Sequence, residues 1–276
     1  MTETRGSSDR AMRARYGAPP PSPTGSWNST LDLLLRHRSV RSYLNDPLPT
    51  GSLQSLIAAA QSAATSSNLQ TWSVVAVMDN ELKSRLAAVA AGQKHIMECP
   101  LFLVWLADLS RNEQLADQRG ISLEALPYLE TFLVASIDAA LAAQNAVIAA
   151  ESLGFSTVYI GALRNNPTEV ADILNLPSRS FAVFGLCVGY ANPDALPDVK
   201  PRLPQKAVLS HNQYDNAVET EIFEGYDQTM AAFSARNETM RTTWKDRVFS
   251  RMSKVSQLAG RDRLRDALAQ LGFELR

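Results

Sequence analysis

The longest element predicted in the chain is YLETFLVASIDAALAAQNAVIAAESLG, residues 128–154. Apolar and small side chains occupy nearly every helical face of this stretch, and Gly154 follows as a C-terminal cap. A helix that is apolar all round is buried, either inside the molecule or in an interface between subunits. Asp138 and the pair Gln144–Asn145 make the stretch too polar for a simple membrane span. It therefore predicts a long buried central helix.

Four β-branched or aromatic runs around this helix predict the strands of one sheet. They are WSVVAVM (72–78), LFLVWLA (101–107), FSTVYIGAL (155–163) and FAVFGLCVGYA (181–191). Further helices are predicted at about 29–38, 49–64, 80–91, from 167, at 219–236 and at 254–271, and an irregular insertion at 109–125. Helices alternating with strands predict an α/β or α+β fold with four or five strands.

The composition restricts the classes of function. The 276 residues include 27 Lys and Arg and 28 Asp and Glu, a formal net charge of −1. This balance gives no overall electrostatic attraction to nucleic acid or membrane. Three His and two Cys exclude a disulfide-framed scaffold and make a metal site and His-dependent nucleophilic catalysis poor predictions. An enzyme of this composition is expected to use a bound organic cofactor. The basic C-terminal tail is interpreted as a solvated helix face rather than a nucleic-acid site, because acidic residues interleave its cations.

Residues 1–28 are predicted to form a flexible N-terminal arm ahead of a single domain over 29–276. The arm carries several Arg and then the Pro-rich stretch APPPSPTGS (18–26). It lacks the apolar core of a signal peptide, so a cytoplasmic location is expected.

Five polar segments contain side chains that could bind a ligand. HRSVR (37–41) is a compact anion receptor for a phosphate or a heterocycle edge, although cations also complement a helix C-terminus. TSSNLQ (65–70) and GQKH (92–95) offer hydroxyls and amides, or are simple turns. VYIGALRNNP (158–167) allows close backbone approach by a flat ligand. KPR (200–202) could clamp a phosphate or be a solvated pair.

Taken together, HRSVRSY, GQKH, AAQNAVIAAESLGFSTVYIGALRNNP, FGLCVGY and DVKPRLP resemble the FMN-dependent nitroreductase family. The resemblance is to its branch of major oxygen-insensitive NADPH nitroreductases and flavin reductases, and it covers residues 30–276. It implies an α+β fold with a central, mostly antiparallel sheet flanked by helices. It also implies an entwined homodimer with two FMN sites at the subunit interface.

The same matching implies which residues contact FMN. Lys200 and Arg202 are expected on the ribityl phosphate, and Gln93 on the isoalloxazine edge. The loop residues Ser66, Asn68 and Gln70 are expected to come from the second subunit. The remaining expected FMN contacts are His37, Arg38, Ser39, Arg41, Tyr159, Ile160, Gly161 and Ala162.

Three positions are expected to serve NAD(P)H or the acceptor: Arg164, Arg236 and Arg241. The segment around the last two departs from the family, because Glu238 would repel the 2′-phosphate of NADPH. The choice between NADPH and NADH therefore stays open. The family pattern also has Gly-Gly where this chain has Gly161-Ala162. The Ser-rich loop of this chain, at 65–70, is two residues shorter than in the nearest members of the branch.

The resemblance implies a ping-pong reaction in which NAD(P)H delivers hydride to FMN N5 and a nitroaromatic acceptor then takes the electrons. The products would be hydroxylamino or amino compounds. No side chain need act as a catalytic acid, and no metal is required. Alternatives are reduction of free flavin, quinone, azo compounds or chromate, and a non-catalytic flavin-binding module.

Overall fold

A computed structural model describes residues 2–17, 25–215, 220–238 and 240–276. The chain divides into two compact units. The first unit combines Met1–Arg38 with Pro197–Gln257, and the second combines Ser39–Leu196 with Leu258–Arg276. The predicted boundary of a single domain at residue 29 stays a prediction.

The described residues form eleven α-helices and four strands. The helices are α1 (Thr2–Tyr16), α2 (Ser29–Arg36), α3 (Ser52–Gln61), α4 (Asn80–Val89), α5 (His95–Glu98), α6 (Ser110–Asp117), α7 (Leu129–Ser152), α8 (Pro167–Leu174), α9 (Thr220–Asn237), α10 (Trp244–Met252) and α11 (Leu264–Gln270). The strands are β1 (Trp72–Val77), β2 (Leu101–Asp108), β3 (Ser156–Ile160) and β4 (Ser180–Gly189).

The four strands form one sheet in the second unit, in the order β1-β2-β4-β3. Every neighbouring pair is antiparallel, which confirms the predicted α+β fold. All residues of β2 are buried, because helices cover both faces of the sheet. One core contains residues of α4 and α8, and the other contains residues of α3 and α7.

The predicted central helix is present as α7. Its alanines pack against the sheet, and Ala142, Ala146 and Ala150 are fully buried. The helix is not buried all round, however, since Leu133, Ile137 and Leu141 are exposed on another face. Among the described residues, α7 alone is long and apolar enough to cross a membrane by length and composition. Its packing against the sheet is that of a core helix.

Two predictions about helices are wrong. Residues 109–125 are not wholly irregular, because α6 begins where Asp108 accepts hydrogen bonds from the backbone N–H and hydroxyl of Ser110 (3.0 and 2.6 Å). The continuous helix at 254–271 is absent. A capping box at Thr243 starts α10 earlier, and Gly260, at φ +90°, separates it from α11.

The first unit contains a helix where a flexible arm was expected. Helix α1 packs on α2, and Ala11 and Met12 are buried. Elsewhere in this unit, Tyr226, Met230 and Phe233 of α9 are buried together in a hydrophobic cluster. Residues 18–24 of the Pro-rich stretch lie outside the described residues.

Candidate functional site

Two stretches of the first unit, residues 37–38 and 200–202, are together called the cation-bearing segment. They contain four of the expected FMN contacts: His37, Arg38, Lys200 and Arg202. Helix α2 ends at Arg36, and the backbone leaves the helical conformation at His37 (φ −48°, ψ 135°). Arg38 follows directly, and its buried Nε has no hydrogen-bond partner among the described residues. The exposed Arg202 donates from Nη1 to the carbonyls of Lys200 and Pro201 (3.1 and 3.3 Å).

Arg15 of α1 connects these stretches, although sequence reasoning gave it no role. Its Nη1 donates to the carbonyl of Lys200 (2.8 Å), and its Nη2 donates to those of Leu35 and His37 (2.7 and 3.0 Å). Its own carbonyl accepts from the N–H of Arg202 (2.8 Å). The sequence carried little signal for it, because only two of the four buried residues among 8–17 are apolar, Ala11 and Met12, beside Ser8 and Arg15.

Glu238 is an acidic centre among these cations. It accepts hydrogen bonds from Lys200 Nζ (3.2 Å) and from Arg247 Nη2. Partial burial opposes its ionisation, but the hydrogen bonds from Arg247 and Lys200 hold its pKa below the usual range. The expected repulsion of a phosphate by Glu238 is therefore reduced, because two cations already neutralise it.

The two arginines expected near NAD(P)H in this unit differ in their contacts. Arg236 forms an exposed ion pair with Asp198 (Nε to Oδ2, 3.4 Å). Asn237 and Arg236 both donate hydrogen bonds to Asp198, which keeps the pKa of that carboxyl below its usual value. Arg241 is exposed just before α10.

The Ser-rich loop of the second unit is held by one buried carboxylate. Asp138 of α7 accepts from Thr65 Oγ1 (2.6 Å), from the N–H of Ser66 (3.2 Å), and from the N–H and Oγ1 of Thr71 (3.2 and 3.0 Å). The sequence showed Asp138 only as an interruption of an apolar helix. An Asp within an apolar helix could have indicated this role, because a buried carboxylate requires hydrogen-bond donors around it.

This loop has an unusual backbone. Ser67, Asn68 and Gln70 all have positive φ, at 48°, 55° and 51°. Non-glycine residues adopt this region at an energetic cost, and such residues concentrate at functional sites. The loop borders a cleft of about 700 Å³, which Gln70 lines together with Trp72 and Arg111. Its expected ligand contacts, Ser66 among them, are thus presented by a fixed backbone.

The edge of the sheet brings two expected contact segments of the second unit together. Ser39 pairs with Thr157 of β3 as an isolated parallel bridge, and the N–H of Val40 donates to the Thr157 carbonyl (3.0 Å). Ser39 and Arg41 therefore lie beside the strand that carries Tyr159 and Ile160. After β3 the chain enters a 3₁₀ turn at Gly161–Asn165.

The side chains at this strand end are largely satisfied inside the protein. Burial raises the pKa of the Tyr159 hydroxyl, which donates to Gln144 Oε1 (3.4 Å). Arg164 donates to the carbonyl of Val183. A Cβ at Gly161 would lie 3.2 Å from Nη2 of Arg164. Ala162 is buried. The guanidinium of Arg164 is thus directed at the sheet.

Gln93 lies in the turn before α5, next to Gly92 (φ +73°). Its carbonyl accepts from the N–H of Ile96 (3.2 Å). His95 is buried, and its Nε2 has no partner among the described residues. Burial, followed by the charge of Arg41, lowers the pKa of His95 to about 4. The imidazole is therefore neutral at physiological pH.

Comparison with known proteins identifies the family of the chain. The family model "Nitroreductase family" matches residues 34–190, and "Nitroreductase family, C-terminal domain" matches residues 200–276. The chain is 38% identical over 253 residues to "FMN reductase (NADPH)" of Bacillus subtilis, covering 89% of this chain and 98% of that protein. It is 37% identical to "Oxygen-insensitive NADPH nitroreductase" of Salmonella typhimurium, covering 79% and 89%.

Solved structures agree. The NfrA1 nitroreductase from B. subtilis superposes with a TM-score of 0.82 at 36% identity, covering 89% of this chain and 99% of that one. The NADPH:FMN oxidoreductase from Vibrio harveyi, complexed with NAD⁺, gives 0.80 at 33% identity, covering 90% and 100%. The protein belongs to the nitroreductase family, which confirms the resemblance inferred from its sequence. The contacts of individual residues with a flavin stay predictions.

Proposed function

We propose that this protein is an NAD(P)H-dependent FMN nitroreductase that reduces nitroaromatic acceptors to hydroxylamino or amino products. The enzyme class and the cofactors, FMN with NADPH or NADH, are those of the family to which it belongs. The nitroaromatic acceptor is supported by the Salmonella typhimurium relative, an oxygen-insensitive NADPH nitroreductase. A further relative, "CR(VI) reductase" of Pseudomonas sp. strain G-1, is 35% identical, and it keeps chromate among the alternative acceptors.

The unpartnered Nε of Arg38 is the observation that carries the proposal. A buried guanidinium N–H without an acceptor costs free energy, and a phosphate oxygen would satisfy it. Arg202 adds a second guanidinium whose described hydrogen bonds go to main-chain carbonyls. Guanidinium groups bind phosphate through charge-assisted hydrogen bonds. The residues of this segment therefore fit the phosphate of FMN.

The proposed FMN contacts are those inferred from the family resemblance. They are His37, Arg38, Ser39, Arg41, Ser66, Asn68, Gln70, Gln93, Tyr159, Ile160, Gly161, Ala162, Lys200 and Arg202, with Arg164, Arg236 and Arg241 assigned to NAD(P)H or the acceptor. When bound, FMN would supply the two-electron chemistry between NAD(P)H and the acceptor.

The protein's own residues bind and orient in this mechanism. Arg38, Lys200 and Arg202 would hold the phosphate, and the loop at 66–70 of the second subunit would present hydroxyl and amide groups to the ring system. Arg41, beside β3, would supply a positive charge that favours negative charge on the flavin ring. The backbone at 160–162 allows close approach at the end of the strand. None of these side chains has to donate a proton.

Homodimerisation is part of the proposal. Leu133, Ile137 and Leu141 recur every four residues on α7 and are 44%, 57% and 44% exposed. Such a stripe on a helix is typical of a protein interface. Light scattering should give the mass of a dimer, and Ile137→Lys should shift it toward the monomer. Met78→Lys, at another exposed apolar side chain, should leave the dimer intact. A monomeric wild type would contradict this part.

A cytoplasmic location completes the proposal. Both cysteines, Cys99 and Cys187, are free and buried, as expected for a protein that keeps its thiols reduced. Cell fractionation would test the location directly.

The function is tested with the purified protein. It should contain FMN, and its flavin absorbance should bleach under anaerobic conditions when NADPH or NADH is added. The values of kcat/KM for a nitroaromatic, a quinone and free FMN then identify the preferred acceptor. A protein unable to bind FMN would contradict the proposal. Tight FMN binding without NAD(P)H oxidation would instead indicate a non-catalytic flavin-binding module.

A further inference from the structure

Helix α1 precedes the part of the chain that the family model matches, which begins at residue 34. We propose that α1 is a positioning element for flavin phosphate binding, and that Arg15 is its positioning residue. This inference rests on the proposed function, because it assigns the phosphate of FMN to the cation-bearing segment at residues 37–38 and 200–202.

The side chain of Arg15 joins the two stretches of this segment. It is 6% exposed, and its hydrogen bonds reach the carbonyls of Leu35 and His37 at the end of α2 and of Lys200. The last carbonyls of a helix have no partner within the helix. Arg15 satisfies carbonyls of this kind, so the chain immediately before Arg38 is fixed by the same group that fixes Lys200.

The main chain of α1 adds a further connection. The carbonyl of Arg15 accepts from the N–H of Arg202 (2.8 Å). The hydroxyl of Tyr226 donates to the carbonyl of Pro201 (3.0 Å). Consecutive residues 200, 201 and 202 are thus each held by a hydrogen bond to a buried residue. This arrangement restricts the backbone from which Lys200 and Arg202 project.

Helix α1 is itself anchored in the first unit. Ser8, Ala11 and Met12 are buried, and Gly17 (φ +75°) follows the last residue of the helix. A Cβ on Gly17 would lie 2.8 Å from Cγ2 of Thr229 in α9. The end of α1 that carries Arg15 is therefore closely packed. A rigid support of this kind lowers the entropic cost of ordering flexible cationic side chains around an anion.

The test compares FMN with riboflavin, which has the same ring system but no phosphate. Dissociation constants are measured by titrating the deflavinated protein and following flavin fluorescence. Arg15→Gln should weaken FMN binding about tenfold and change riboflavin binding by less than twofold. Arg13→Gln is the matched control, because Arg13 is an exposed arginine of the same helix. It should bind both flavins like the wild type.

Two results would overturn the proposal. One is unchanged FMN affinity in a folded Arg15→Gln variant. The other is an equal loss for FMN and riboflavin, which would indicate general destabilisation. If Arg15→Gln does not fold, Arg15→Lys is used instead, because it keeps the charge but makes fewer of the hydrogen bonds. It should weaken FMN binding about threefold and leave riboflavin binding unchanged. A wild type that binds no FMN would instead overturn the proposed function.

Discussion

The cation-bearing segment and the Ser-rich loop at 65–71 are each fixed by one buried ionisable side chain, but of opposite sign. Arg15 donates to main-chain carbonyls before Arg38 and at Lys200. Asp138 accepts from hydroxyls and main-chain N–H groups of the loop. A cation thus organises the segment expected to bind a phosphate, and an anion organises the loop expected to meet the flavin ring.

The two supports also differ in their place in the chain. Asp138 lies in α7, inside the family-matched range, whereas Arg15 precedes that range. The loop contains backbone with positive φ, so its conformation depends on its anchor. No residue of the cation-bearing segment has positive φ, so its anchor sets position rather than conformation. Loss of Asp138 should therefore cost stability, and loss of Arg15 should mainly cost affinity.

The largest effect is expected for Asp138→Asn. The amide places an N–H₂ group against donors from Thr65, Ser66 and Thr71, and buried hydrogen bonds to a charged group are strong. We expect the free energy of unfolding to fall by about 3 kcal/mol, measured by urea denaturation. Asn145→Ala removes another α7 contact, to the Ala59 carbonyl (3.2 Å), and should cost about 1 kcal/mol. Equal losses would contradict the special role of Asp138.

Removing one of the cations proposed to bind the FMN phosphate should have the next largest effect. Arg202→Gln is expected to weaken FMN binding about 30-fold and leave riboflavin nearly unaffected, because a charge-assisted hydrogen bond is lost. Lys206→Gln, at an exposed position in the same stretch, should bind FMN like the wild type. Fluorescence titration provides both values. A smaller loss than in Arg15→Gln would mean that the helix matters more than the cation.

His95 extends the comparison to a buried group whose Nε2 has no hydrogen-bond partner among the described residues. Its pKa is about 4 in the folded protein, against 6.5 ordinarily, so the unfolded chain binds the proton first. Stability should be unaffected by His95 above pH 6.5 and fall as the pH drops from about 6.5 to 4. The loss at pH 5 should be about 2 kcal/mol.

The measurement is urea denaturation at pH 7 and pH 5. In His95→Gln this component of the pH dependence should disappear, and in His211→Gln, at an exposed imidazole, it should remain. An identical pH dependence of stability in wild type and His95→Gln would contradict the prediction, because it would show that folding does not lower the pKa of His95.

The smallest effect is expected at Glu238, between Lys200 and Arg247. Glu238→Gln removes a carboxylate that the two cations keep ionised, so the region becomes more positive. We expect kcat/KM for NADPH to rise about fivefold relative to NADH, because NADPH carries the additional phosphate. Glu221→Gln, at an exposed position of α9, should leave the ratio unchanged. A lower ratio in Glu238→Gln would remove Glu238 from donor selection.

Sequence patterns predicted most of the regular elements, for reasons that differ between them. The strands were recognisable because both faces of β2 are covered, which requires a continuous apolar run. Helix α6 was missed because only Ser110 and Ala116 of its residues are buried, which leaves little apolar periodicity. Helix α1 was missed for the same reason, since a serine and an arginine occupy two of the four buried positions among residues 8–17, the part of this helix whose burial is described.

The sequence by itself determined the family and the antiparallel α+β fold and pointed to the polar segments proposed to contact a flavin, because local patterns and motifs encode these features. Only the tertiary structure decided what holds those segments in place. Arg15 and Lys200 are 185 residues apart in the chain, and Asp138 and Thr65 are 73 apart. Hydrogen bonds over such separations depend on packing of the whole chain. The exposed apolar stripe on α7 could likewise not be read from the sequence, because the helix is apolar on nearly every face and only packing decides which face is covered.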